Sequence, residues 1–199
     1  MASQNLVVPL PMTVQEDRAD RERQAMSRFV ESRSDADFAA LFDLLYPALY
    51  RYFRHRQQPH REAEELAQNV MVAVHQHAAE LRDAVLFHGW LYRIARNELL
   101  MARRFAHAQR RSGTTASLND GAAVCNPEAD FVYRSTLAQL LGDLDEMSRE
   151  VLHLRFVDEL SYTDIAEALA LPIGTVKWRL YQARLRLAEQ ARKSNGVVR

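Results

Sequence analysis

Cysteine is almost absent from this chain of 199 residues, which contains only Cys125. One thiol cannot form an internal disulfide, and it excludes a zinc site built from several cysteines. Such sparse use of cysteine fits a reducing compartment, and we expect a cytoplasmic protein. Glycine and proline are also scarce, with six of each, and alternating β-branched segments are few. The sequence therefore predicts an all-α fold.

The chain also lacks an apolar run approaching the roughly 18–20 residues that cross a bilayer, and residues 6–11 are too short and proline-broken for a signal peptide. Acidic and basic residues balance at 26 each, so no net charge identifies a partner. The distribution is uneven, however. Residues 171–199 hold seven Lys/Arg and one acid, whereas residues 131–170 hold three Arg and eight acids. One end is therefore cationic and suited to nucleic-acid phosphates, unless it is an ordinary solvated helix.

The segment from 160 to 192 has the pattern of a helix-turn-helix. Ser161 and Asp164 match a capping box, which predicts the start of a short helix. The sequence LPIG at 171–174 interrupts the helical periodicity, and a second, basic helix is predicted from Thr175. Two short helices joined by a tight turn place the second helix in the major groove of DNA.

A second cationic surface is predicted in the first half of the chain. Helices are expected at 34–57, beginning with a capping box, at 60–81 and at 89–109, with a loop at 82–88. Aromatic side chains beside arginines in the third of these suit single-stranded nucleic acid, because bases stack on aromatic rings. The alternative is that Phe87 and Trp90 are core residues. The predicted helix at 60–81 begins with the acidic residues Glu62, Glu64 and Glu65. These residues either complement the helix dipole or form a docking site for a basic partner.

Composition divides the chain into two small helical domains joined by a flexible linker. The segment 112–130 is small, polar and rich in turn-forming residues, which is typical of a linker. The expected organisation is a tail with a weak helix at 1–33, a first module at 34–111, the linker at 112–130, a second module at 131–193 and a tail at 194–199.

Three motifs in order resemble those of the bacterial extracytoplasmic-function sigma factors, the smallest two-domain members of the main sigma family. They are AEELAQNVM at 63–71, FHGWLYRIARN at 87–97 and the helix-turn-helix sequence at 160–187. The resemblance covers about residues 37–192. It implies a dissociable subunit, without cofactor, metal or catalytic activity, that directs core RNA polymerase to promoter DNA, both duplex and single-stranded. An anti-sigma factor is a further partner that it implies.

The same resemblance implies three sets of functional residues. Core polymerase would dock on Glu65, Gln68 and Asn69. An extruded base and the melted strand of the minus-10 promoter element would be held by Arg82, Asp83, Phe87, His88, Trp90, Arg93, Asn97, Arg103 and Arg104. The duplex minus-35 element would be read by Thr175, Lys177, Trp178, Arg179, Tyr181, Gln182 and Arg184.

Several residues depart from the usual pattern of that family. Asn69 replaces an acid, Trp178 replaces a small residue, and Gln182 stands where arginine is common. We therefore expect an unusual promoter sequence. Ala170 replaces the glycine of the turn, which predicts a shifted turn, since left-handed backbone is unfavourable for alanine.

Two other classes of protein are alternatives to this interpretation. A stand-alone helix-turn-helix regulator would share the DNA-reading helix but has no need of the first module. A metal-dependent hydrolase could use His55, His60, His75 and His77. However, His75 and His77 are two residues apart and do not share a helix face. The sequence also contains no HExxH motif, phosphate-binding glycine loop or nucleophile elbow.

Overall fold

A computed structural model describes residues 12–81, 83–111 and 144–195, and every described element is helical. The all-α prediction is thereby confirmed. The expected linker, and most of the helix expected to begin at Phe131, lie outside these residues. Two short 3-10 turns, Ala78–Glu80 and Ala84–Leu86, join the third helix to the fourth. The helices are α1 (Met12–Ser32), α2 (Asp35–His55), α3 (His60–His77), α4 (Phe87–Arg111), α5 (Glu146–Phe156), α6 (Tyr162–Leu169) and α7 (Ile173–Asn195).

Side-chain caps fix where three helices begin. The hydroxyl of Ser34 accepts the Asp37 amide at 3.1 Å at the start of α2. At α6 the Ser161 hydroxyl accepts the Asp164 amide at 3.1 Å, and the Asp164 carboxylate accepts the Ser161 amide at 3.3 Å. The capping box predicted at Ser161 is confirmed, whereas at Ser34 only the N-cap is, because the Ser34 amide donates to the Ser32 hydroxyl at 3.2 Å and not to Asp37. Asp145 caps α5 in the same way, because it accepts the Ser148 amide at 3.0 Å.

The N-terminal helix α1 is part of the first module's core. Met26 and Phe29 are fully buried, and the Phe29 ring centroid lies 5.1 Å from that of Phe38 and 5.5 Å from that of His75. The weak helix expected in a tail is therefore a structural layer that packs on α2. The three-residue spacing of Met26 and Phe29 was visible in the sequence, but the charged residues around them obscured it.

Two predicted boundaries were wrong next to the expected loop. The helix α3 ends at His77 and not at residue 81, since the chain tightens into a 3-10 turn there. Phe87 and His88 were expected in the loop at 82–88, but they form the first turn of α4. Burial of the Phe87 ring accounts for the early start, because it anchors the chain to the core before Gly89 is reached.

The two predicted modules pack against each other. Helix α6 lies along α4, α5 and α6 pack on α7, and buried apolar side chains of both modules form one continuous cluster. This cluster joins Phe87, Trp90 and Leu91 of α4 to Leu160 and Ile165 of the second module. The structure is thus a closed arrangement, in which the predicted linker connects domains that already touch. Within the described ranges, no helix combines the length and apolarity needed to cross a membrane.

Candidate nucleic-acid interface

Helix α7 presents an exposed face of cations and aromatics. Val176, Leu180 and Ala183 are buried against α5 and α6 and fix the helix in place. Trp178 and Tyr181 remain 58% and 60% exposed. Lys177 and Arg184 are also exposed, whereas Thr175 and Gln182 are half-buried. The predicted minus-35 residues therefore share one helix, and four of them are fully available to a ligand.

Arg179 is the predicted minus-35 residue whose side chain is already hydrogen-bonded to another helix of the protein. Its Nη1 donates to Asp145 Oδ1 at 3.0 Å and to the Ser148 hydroxyl at 3.3 Å. The hydrogen bond from the Ser148 hydroxyl, together with those from the Ser148 amide and Arg179, holds the pKa of Asp145 below its usual value. Arg179 consequently ties α7 to the N-terminus of α5, and in this arrangement it does not extend toward a base.

The turn before α7 has the regular helix-turn-helix form. Ala170 adopts left-handed backbone, with φ 52° and ψ 45°, and its amide donates to carbonyls of the last turn of α6. The shifted turn expected from the missing glycine is therefore not observed. Alanine instead occupies the strained conformation directly.

We expect Ala170→Gly to stabilise the second module by about 0.5–1 kcal/mol. Left-handed backbone is unfavourable for alanine by about 1–2 kcal/mol, and the greater freedom of glycine in the unfolded chain offsets part of the gain. Thermal unfolding of the full chain measures the change. The control, Ala188→Gly on the exposed side of α7, should destabilise by about 1 kcal/mol. Equal losses in both variants would contradict the role assigned to the backbone at Ala170.

The predicted minus-10 residues lie on α4 and in the turn before it. Arg82 is outside the described residues. Asp83 caps the short 3-10 turn, because its Oδ1 accepts the Val85 amide at 2.8 Å. Asn97 and Arg104 are exposed. Phe87, His88 and Trp90 are buried in this arrangement and cannot reach a base without a change in structure.

His88 is held by a carboxylate of α1. Its Nε2 lies 2.8 Å from Glu22 Oε2, and both side chains are only 7% exposed. Arg18 donates to the other oxygen of Glu22 at 2.8 Å. Burial alone would raise the pKa of Glu22, but the hydrogen bonds from His88 and Arg18 outweigh it and lower the pKa. The carboxylate therefore stays ionised and fixes the imidazole.

The remaining minus-10 cations are paired with acids of the second module. Arg93 Nη1 lies 2.7 Å from Glu167 Oε1, and Arg103 Nη1 lies 3.6 Å from Glu146 Oε1. The structure thus gathers the predicted cations on one side of α4 and places α6 and the start of α5 over that side.

The predicted polymerase-docking residues lie on an uncovered face of α3. Ala63, Leu66, Ala67 and Val70 are buried on the opposite face. The side chains of Glu65, Gln68, Asn69 and Val72 are among those that remain exposed on this helix.

One cluster at the module boundary was missed by sequence reasoning. Arg56 follows α2 and is 4% exposed, and its guanidinium lies 2.9 Å from Glu150 Oε1 and 3.2 Å from Asp158 Oδ2. Burial raises the pKa of Asp158 to about 6, although Arg56 acts in the opposite direction. In the sequence, Arg56 is one of several arginines in RYFRHR at 51–56, and nothing there distinguishes it.

The histidines weighed as metal ligands have separate surroundings. His60 Nδ1 lies 2.8 Å from the Tyr50 hydroxyl, and His77 Nδ1 lies 2.8 Å from Glu80. The His75 ring is 4.8 Å from the Phe38 ring, centroid to centroid. Across the residues for which the structure gives positions, no cluster of three or more His, Cys, Asp or Glu side chains could hold a metal ion.

Comparison with known proteins agrees with both modules. Residues 41–111 match the family model for Sigma-70 region 2, and residues 134–187 match that for Sigma-70, region 4. The RNA polymerase sigma-H factor of Pseudomonas aeruginosa is 30% identical over 135 residues, which cover 62% of this chain and 70% of that protein. The ECF RNA polymerase sigma factor SigW of Bacillus subtilis is 26% identical over 172 residues, which cover 80% and 92% of the two proteins.

A solved structure has the same fold. It is the sigma factor RpoE of Bartonella quintana in complex with the anti-sigma factor NepR, with a TM-score of 0.58 and 26% identity. The match covers 82% of this chain and 99% of that one. The motifs, the helix-turn-helix geometry and these matches together place the chain in the sigma-70 family, as an alternative sigma factor of the extracytoplasmic-function type that directs promoter-specific transcription.

Proposed function

We propose that the three residue sets divide the work of initiation among three helices. The α3 face with Glu65, Gln68 and Asn69 docks on core RNA polymerase, α7 reads the duplex minus-35 element, and α4 holds the melted minus-10 strand. The observation that carries this proposal is the face of α7, where Lys177, Trp178, Tyr181 and Arg184 stand outward from a buried anchoring stripe.

The chemistry of that face fits base reading in the major groove. Lysine and arginine donate to the acceptors of guanine, and apolar or aromatic groups contact the thymine methyl. Each good contact discriminates by about 1–3 kcal/mol. Trp178 adds apolar surface where the family resemblance implies a small residue, and Tyr181 is exposed beside it, which supports a preference for thymine methyl groups in the minus-35 element.

The first module would stabilise the open strand by binding alone. Unstacking a base costs a few kcal/mol, and stacking on an aromatic ring with phosphate contacts offsets it. No bond is made or broken in this step, so the chain would act as a cytoplasmic, non-catalytic subunit of the polymerase. The proposed domain boundaries follow the same division, with 34–111 and the packed helix α1 as the first module and 131–193 as the second. Because the Bartonella relative was solved with an anti-sigma factor, we include such a protein among the partners.

Run-off transcription tests the proposal. Core polymerase with this chain and a library of genomic fragments should produce discrete transcripts that core polymerase alone does not. If the chain fails to bind core polymerase yet binds duplex DNA tightly by itself, the chain is a stand-alone helix-turn-helix regulator and the proposal is wrong.

A matched pair of variants tests the docking face. Gln68→Arg places a cation on the exposed α3 face, and we expect it to weaken binding to core polymerase about tenfold or more, because an acidic face implies a basic partner. Gln24→Arg makes the same change on the exposed side of α1 and should leave binding unchanged. Binding is measured by fluorescence anisotropy with labelled chain. Equal effects of the two substitutions would remove α3 from the docking surface.

A further inference from the structure

The first turn of α4 holds a carboxylate from the other module. Backbone amides at a helix N-terminus have no partner within the helix, so they attract anions. Here the Gly89 amide donates to Asp164 Oδ1 at 3.2 Å. Asp164 is also the residue that completes the capping box of α6. A single carboxylate thus serves the N-termini of two helices that belong to different modules.

A second carboxylate repeats the arrangement one turn further along. Arg93 is four residues after Gly89, and Glu167 is three residues after Asp164, so the two pairs are stacked along the two helices. The Arg93–Glu167 pair is 2.7 Å long. Helix α6 therefore presents two negative groups, one helical turn apart, to the Gly89 amide and to the guanidinium of Arg93, which is a predicted minus-10 residue. A strand of DNA would present its phosphates to the same donors.

Glycine at position 89 is what lets the two helices come this close. A Cβ atom there would lie 2.6 Å from Glu167 Cβ and 2.8 Å from Glu167 Cγ. The α6 backbone is also close, with the Asp164 carbonyl oxygen at 3.1 Å. Any larger residue would force the helices apart. By contrast, a Cβ at Gly174 in α7 would meet nothing within 4 Å.

Beside the apolar cluster that joins the two modules, part of the boundary is polar and incompletely filled. A cavity of about 330 Å³ lies between α1, α4 and the segment leading into α6. Its lining includes Arg18, Glu22, His88, Arg155 and Asp158. Boundaries between domains that separate are more polar than a protein core. This boundary therefore combines the specific contacts of Asp164 and Glu167 with a polar surface that is compatible with water.

We propose that α6 is an internal mimic of the melted strand, which keeps the minus-10 surface of α4 covered until the second module moves away. The inference rests on the proposed function of α4. Asp164 and Glu167 occupy the positions of phosphates, and Gly89 sets the fit. The closed chain leaves the α3 face and the reading face of α7 exposed, so it can meet core polymerase and duplex DNA before it can hold single-stranded DNA.

Two variants of the full chain should open it. Gly89→Ala inserts a methyl group at the contact without changing charge, and alanine favours the helix. Glu167→Gln removes one phosphate-like charge. Their matched controls are Gly174→Ala, at an open position in a helix, and Glu31→Gln, on the exposed end of α1. Circular dichroism is used to check that all four variants remain helical.

The readouts are the radius of gyration from small-angle X-ray scattering and the affinity for a labelled random-sequence single-stranded 20-mer of DNA. The affinity is measured with excess unlabelled duplex DNA, which occupies α7. We expect a larger radius and about tenfold tighter strand binding for Gly89→Ala and Glu167→Gln. Both controls should match the unmodified chain.

Unchanged radii in Gly89→Ala and Glu167→Gln would overturn the proposal, and so would larger radii without tighter strand binding. These results are separable from failure of the proposed function, since scattering reports closure whether or not the chain supports transcription. A chain that opens as expected but initiates no transcript would instead contradict the assignment as promoter-reading subunit.

Discussion

Replacing Arg56 with alanine is expected to destabilise the closed arrangement by about 3–5 kcal/mol at pH 8, as removal of one partner from a buried ion pair does. The guanidinium lies within 3.2 Å of carboxylates from two places in the second module, Glu150 and Asp158. It also lies 3.5 Å from the centroid of the Tyr52 ring and donates to the Tyr52 carbonyl at 3.0 Å. Alanine would leave both carboxylates at the boundary without this cation.

The effect of Arg56→Ala should depend on pH in a defined direction. Burial already raises the pKa of Asp158 to about 6, and losing the cation raises that pKa further. At pH 5 the protonated carboxyl group tolerates burial, so the variant should lose less stability than at pH 8. Urea unfolding at both pH values measures this difference.

Arg61→Ala is the control for Arg56→Ala. Arg61 pairs with Glu65 at 3.1 Å, but the two side chains are 76% and 59% exposed. An exposed pair one helical turn apart contributes only about 0.3–0.5 kcal/mol. If the two variants unfolded at the same urea concentration, the cluster around Arg56 would not hold the modules together.

Phe29→Ala should destabilise the first module by about 3–5 kcal/mol, the usual range for removing a phenyl ring from a core. Phe29 of α1 is 1% exposed, and its ring packs against Phe38 of α2 and His75 of α3. If α1 were a tail, the same substitution would have little effect on thermal unfolding.

Phe105→Ala provides the comparison for the ring at position 29. Phe105 lies on α4 with 65% of its surface exposed. Its truncation should change stability by no more than about 0.5 kcal/mol. If Phe29→Ala lost as little stability as Phe105→Ala, α1 would be a tail that does not contribute to the core.

The features that sequence reasoning predicted well are local ones. The caps at Ser34 and Ser161 depend on residues three positions apart, and the α3 stripe depends on helical periodicity. The turn between α6 and α7 follows from Pro172, although α7 begins at Ile173, two residues before the predicted start at Thr175. Such features are determined within a few residues of chain, so they can be read without knowing what packs on them.

The features that sequence reasoning missed arise from distant contacts. An aromatic ring beside arginines is equally consistent with base stacking and with a core, and Phe87 and Trp90 are buried where helices of both modules pack on α4. The partners of Arg56 are about a hundred residues away in sequence. Gly89 gave no signal either, since a helical glycine shows its purpose only when the neighbouring helix is in place.

The tether between Arg179 and Asp145 has a consequence for how descendants of this protein can acquire new target genes. A substitution at Arg179 would loosen α7 from α5 before it altered recognition of any base. Trp178 and Tyr181 bear no such structural duty, since most of their surface faces solvent. Substitutions at Trp178 and Tyr181 can therefore change which bases are preferred without loosening the fold, whereas substitutions at Arg179 cannot.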